Sequence, residues 1–189
     1  GCSEIWFDED VQLAHYKLPA NCKFIGQTLL QTKFRSNYGC NILQITTPQA
    51  VIDMPGADYI LEAASTLLII GTREQFKMFN AAVASKQIDL EPLAEPISLR
   101  QFMLQSHEEK PELQFLSLAI TVDEHSKLLG KSIKDANIRE NWSALVLGLE
   151  RGAYTITNPN ISLTFEKGDL LWVLGKQKML NALIREEVL

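Results

Sequence analysis

The sequence predicts an α+β fold of two tandem β-α-β-β-β-α modules packed as a pseudo-dimer, and three observations predict it. The chain repeats itself without insertion at an offset of 104 positions. Gly26 falls on Gly130, Gly71 on Gly175 and Pro55 on Pro159, positions where fixed backbone geometry has to be shared. Both copies also switch in the same order between two-residue alternation and helical spacing. The 189 residues, 46% of them hydrophobic, suffice for two small cores. The repeat sets the modules at 1–86 and 113–189. Between them, 87–112 carries Pro92, Pro96 and Pro111 and reads as a structured linker with a short helix.

Each module opens with a strand. Leu116, Leu118, Ile120 and Val122 alternate cleanly, and Val11 to Leu18 alternates less well. A turn at Gly26 or Gly130 follows, then a short helix. Ser132 with Asp135 makes a capping-box-like start, whereas Thr28 is the matching cap without an acidic partner. Gly39 suits a left-handed helix stop, and Ser143 replaces it in the second copy. Ile42 to Thr46 and Ala144 to Leu149 are the second strands, and Val51-Ile52 and Tyr154 to Ile156 the third. Pro55 and Pro159 break that third strand or place it at an edge. Leu67 to Ile70 and Leu170 to Leu174 form the fourth strand, expected to stop at Gly71 and Gly175. A last helix follows. Thr72 and Gln75 box its start, and Phe76, Phe79 and Val83 share one face; Leu180, Leu183 and Ile184 are the matching stripe. In the linker, Ser98 caps a helix to Gln105.

The charge is −5, from 18 Lys and Arg against 23 Asp and Glu, so nothing draws the chain to nucleic acid. Cys2, Cys22 and Cys40 form no C-x-x-C pair, as in a reducing cytosol. No run approaches the ~20 apolar residues of a membrane helix. Asp8, Glu9 and Asp10 stand where a signal peptide would be basic, so a soluble, unexported piece is expected. The start at Gly1 rather than Met leaves room for a membrane part outside the sequence.

Catalytic patterns are missing. His15, His107 and His125 are scattered without metal-ligand spacing, so no metal site is expected. Leu67 to Thr72 starts like a dinucleotide fold but lacks the second and third glycines, so Gly71 reads as a packing turn. Cys40 borders an apolar strand with no histidine nearby and reads as a buried thiol. The chain is expected not to be an enzyme.

One family fits these residues. Ile25-Gly26-Gln27-Thr28-Leu29, Tyr38-Gly39-Cys40-Asn41-Ile42-Leu43 and Leu68-Ile69-Ile70-Gly71-Thr72 resemble the TrkA-C module, the C-terminal lobe of RCK domains that regulate conductance of K⁺. The match covers Val11 to about Val83 and Phe115 to about Val188. The family's Gly-Asp pair before the fourth strand is kept as Gly168-Asp169 but lost as Ala64-Ser65. The second copy lacks the glycine at Ser143 and the asparagine at Leu145.

The resemblance implies a cytoplasmic regulatory domain of a membrane cation (K⁺ or Na⁺)/proton antiporter, part of the same polypeptide as the transporter. Alternatives are an assembly scaffold without a ligand, or the inserted domains of an anion/sodium permease. It also implies a homodimer or an intrachain pseudo-dimer, no required cofactor, and a groove open to a nucleotide effector such as cyclic di-AMP. For such a ligand Arg35, Asn37, Arg139 and Asn141 are the phosphate partners available. Phe24, Ile25, Leu128, Leu129, Pro55 and Pro159 would be the apolar walls. A second role is open to each: the repeated arginine also suits a brace of the helix-to-strand turn, and the apolar residues suit ordinary dimer packing.

Overall fold

A computed structural model describes residues 10–105 and 110–188, with the side chain of Val188 excepted; Cys2, Asp8, Glu9 and His107 lie outside the described residues. The chain divides into two compact units, Gly1–Gln105 and Ser106–Leu189.

The first unit runs β1 (Val11–Lys17), α1 (Leu29–Thr32), α2 (Phe34–Tyr38), β2 (Asn41–Thr46), β3 (Val51–Asp53), β4 (Thr66–Thr72) and α3 (Arg73–Ala84). β5 (Glu91–Pro92), β6 (Ile97–Ser98) and α4 (Leu99–Gln105) complete it. The sheet order is β3-β2-β4-β1-β5, with β6 also on β1. The ladders are antiparallel; β1 meets β4 from Val11↔Thr72 to Lys17↔Thr66. α3 covers one face because its stripe is apolar: Phe76, Phe79 and Val83 are all buried. Phe79 is the centre of that core. Tyr16, Phe34, Tyr38 and Phe76 all meet its ring edge to face, at centroid distances of 5.2 to 6.4 Å.

The second unit repeats the plan. A 3-10 turn (Pro111–Leu113) leads into β7 (Phe115–Thr121), α5 (Ile133–Ala136), α6 (Ile138–Trp142), β8 (Leu145–Arg151), β9 (Tyr154–Thr157), β10 (Leu170–Lys176) and α7 (Gln177–Val188). The sheet order is β7-β10-β8-β9. Leu180 and Leu183 bury the stripe of α7 among Val122, Ile138, Phe165 and Val173.

Four expectations change in detail. The single short helix is two, split by a left-handed residue, Lys33 (φ 60°) or Asn137 (φ 51°). Thr28 needs no acid to box its helix: Gln31 Oε1 accepts the Thr28 N–H at 2.8 Å, while Thr28 Oγ1 accepts the Gln31 N–H. The fourth strand does not stop at its glycine but runs through it, to Thr72 and to Lys176. Gly71 and Gly175 are there for close approach: a Cβ on Gly71 would sit 3.1 Å from Cys40 Sγ, and one on Gly175 3.3 Å from Ala144 Cβ. Finally, part of 87–112 is sheet. β5 and β6 lie on the outer edge of β1, and the predicted Ser98 cap is present, accepting the Gln101 N–H at 3.0 Å.

Candidate functional site

The turn after the first strand carries the expected apolar walls, and a loop clasps it identically in both units. Gly26 (φ 87°) donates its N–H to Leu61 O at 2.8 Å, and Leu61 N–H returns to Gln27 O. Leu29 and Leu30 donate to Tyr59 O and Ala57 O. In the second unit Gly130 and Phe165, Lys131, Ile133 with Leu163, and Lys134 with Ile161 repeat every bond. The clasping loop follows Pro55 or Pro159, so backbone bonds join the turn to the loop of each proline.

The prolines also end β3 and β9, which are sheet edges. Both are buried, and each follows a left-handed residue, Met54 (φ 45°) or Asn158 (φ 45°). The N–H of that residue holds the carbonyl of Leu43 or Leu147. These leucines are the extra residues of a bulge at the same place in β2 and β8, where the register skips. The repeat therefore preserves bulge, left-handed residue and proline as one device.

Phe24 and Leu128 are buried, the former edge to face with Phe34 at 5.1 Å. Ile25 is half-buried and Leu129 is 37% exposed. The Phe24–Phe34 contact fixes α2 against the turn, which sets Arg35 and Asn37 at the surface beside it. The Arg35 and Arg139 carbonyls accept the N–H of the left-handed stops Gly39 and Ser143. The side chains differ between copies. Arg139 Nη2 lies 2.8 Å from Glu140 Oε1, and Ser36 occupies that place after Arg35. Asn141 is exposed like Asn37. Asn41 opens β2 where Leu145 opens β8.

Sequence reasoning missed two carboxylate supports of this turn. Glu187 on α7, buried, accepts the Leu128 N–H at 3.0 Å and the Ser126 hydroxyl at 3.1 Å. In the first unit Asp89 accepts the Lys23 N–H at 3.0 Å, and Cys22 Sγ donates to the Asp89 carbonyl. The two come from non-equivalent positions, so the repeat gave no signal for them. A third feature lies under the Gly168 turn: Arg151 forks onto Asp169, with both bonds at 2.9 Å. Burial pushes the Asp169 carboxyl up, but Arg151 and the Glu166 N–H outweigh it and hold it below the usual carboxylate range.

Burial pushes the Cys40 thiol up to about 12 and also raises Cys22, so neither supplies thiolate near neutrality. Burial lowers His15. Among the described residues no group of three His, Cys, Asp or Glu could hold a metal, and no helix is long and apolar enough to cross a membrane.

Comparison with known proteins decides the family, because the TrkA-C domain profile matches residues 13–84 and again 118–187. The chain belongs to the TrkA-C domain family. Among relatives, an uncharacterized transporter of Synechocystis sp. is 25% identical over 162 residues, 85% of this chain and 25% of its own length. The Ktr system potassium uptake protein A of Vibrio alginolyticus is 28% identical over 134 residues, 70% of this chain and 49% of its own. The TrkA-C pair thus spans a quarter to a half of these relatives. A solved RCK C domain of the potassium transport protein KtrA, in complex with cyclic di-AMP, is 28% identical. It covers 38% of this chain and 82% of its own, with a TM-score of 0.36. These relatives are transport proteins, not enzyme families.

Proposed function

We propose that this TrkA-C pair is the regulatory region of a membrane transporter, a cation/proton antiporter in which it faces the cytoplasm, and that it binds a nucleotide effector of the cyclic di-AMP class through its first module. The observation that carries the reading is the double TrkA-C match over a chain whose relatives are transport proteins. A ligand that binds one arrangement of the modules better than another shifts their populations, and an attached gate follows.

The first module is favoured on chemical grounds. It keeps Gly39 and Asn41, which the second module replaces with Ser143 and Leu145, and in the second module a phosphate approaching Arg139 meets the Glu140 carboxylate 2.8 Å from its guanidinium. Phe24, Ile25 and Pro55 are the matching apolar groups, with Asn37 as a further donor. Leu128, Leu129, Pro159 and Asn141 hold these places in the second module.

Thermal unfolding of the chain with and without cyclic di-AMP tests this, since a ligand bound only by the folded state raises stability by about 2.7 kcal/mol at a hundred times its dissociation constant. The expected result is a clear upward shift, lost in Arg35→Ala. No shift in a panel of nucleotides sinks the effector role and leaves an assembly scaffold.

A further inference from the structure

The clasp on the Gly26 and Gly130 turns is bonded alike in the two units, but what holds the clasping loop from behind differs. In the second unit Arg151, at the end of β8, reaches that loop at three points. Its Nη2 donates to Thr164 O at 2.9 Å, its Nε lies 3.1 Å from Glu166 Oε2, and it forks onto Asp169. Asp169 Oδ2 in turn accepts the Glu166 N–H at 2.8 Å. The Gly168 N–H meets Val122 O at 2.7 Å, and the Val122 N–H returns to Asp169 O at 2.8 Å. Phe165, which makes two of the clasp bonds, therefore sits between two anchored neighbours.

Three replacements remove these anchors from the first unit. Thr47 stands where Arg151 does and accepts the N–H groups of Gln49 and Ala50 instead. Ser65 stands for Asp169; it is fully buried, and among the described residues its hydroxyl has no hydrogen-bond partner. Ala64 stands for Gly168 and keeps a left-handed backbone, φ 60°, that suits glycine and strains a residue with a Cβ. The Leu18 N–H to Ser65 O bond, at 3.0 Å, is the one the two units share. Opening the loop thus gives up less in the first unit. There it relaxes Ala64 and brings the Ser65 hydroxyl to water, whereas in the second unit it breaks a charge pair on a buried carboxylate.

We propose that loop 57–65 is a clasp that opens by itself in the first unit, and that Arg151 latches the equivalent loop 161–169 shut in the second. A molecule that touches the closed clasp is then coupled to loop order in the first unit alone. The opening belongs to the free chain and needs no nucleotide.

Native-state amide exchange of the full chain tests it, with each clasp read against the central strand of its own unit. Gly26, Leu29, Leu30 and Leu61 report the first clasp against β4; Gly130, Ile133, Lys134 and Phe165 report the second against β10. On this scale the first clasp is expected to be less protected than the second by about tenfold or more. Arg151→Thr with Asp169→Ser installs the first unit's pair without stranding a buried charge, and should open the second clasp to the same degree relative to β10. Equal protection of the two wild-type clasps overturns the proposal. So does a folded double variant whose second clasp keeps its protection. The wild-type comparison needs no substitution and decides even where the variant does not fold.

Discussion

At Asp169 and its counterpart Ser65 one position has two chemical solutions. Asp169 is buried and forked by Arg151, which also lies 3.1 Å from Glu166 and donates to Thr164 O at 2.9 Å. The positions of both partners change together in the first module, to Thr47 and Ser65. Thr47 turns inward on its own loop, accepting the Gln49 and Ala50 N–H groups, and among the described residues Ser65 Oγ has no hydrogen-bond partner. Asp169→Ala is expected to destabilise the second unit by about 2–3 kcal/mol, read by chemical denaturation. The value is at the low end for a buried pair because Glu166 still neutralises Arg151, whose side chain is 30% exposed. The pH dependence has a definite sign. The folded carboxyl lies below its unfolded value of about 3.9, so its contribution is full above about pH 4 and is lost as pH falls through the folded pKa. Asp169→Asn should flatten acid unfolding in that range. Ser65→Ala removes an orphaned buried hydroxyl and is expected to be neutral or stabilising by up to about 1 kcal/mol.

The elements are set by short signals that mostly agree with the packing around them. Thr72 and Gln75 start α3 as a capping box, with Gln75 Oε1 accepting the Thr72 N–H at 2.8 Å. Gly71 is coupled to that cap. A methyl group at this position meets Gln75 Oε1 and Cys40 Sγ, both at 3.1 Å. Gly71→Ala should therefore cost about 1–3 kcal/mol through overpacking and a disturbed cap, measured by thermal unfolding. Phe79→Ala removes the ring on which four aromatic neighbours converge, and a loss of about 3–5 kcal/mol is expected. The bulges at Leu43 and Leu147 left no trace in the alternation of β2 and β8. A bulge is an extra residue defined against the neighbouring strand, so it exists only once the ladder forms.

Across the whole molecule, duplication makes each unit a control for the other. The TrkA-C modules share the clasped glycine turn, the bulge and the left-handed residue before proline. They differ in what lies beside the arginines and along the outer sheet edges. If the first module takes the effector, Arg139→Ala leaves most of the nucleotide-induced melting shift in place while Arg35→Ala abolishes it. Equal losses from the two substitutions would instead assign both modules to the ligand. The sequence by itself determined the repeat, the family and the order of strands and helices, because glycine, proline, cap and periodicity signals act within a few residues. Only the tertiary structure decided that Gly71 lies inside a strand and that Glu187 and Asp89 hold the turn. Each of these depends on which side chain reaches which neighbour across the fold, a distance that spacing along the chain does not encode.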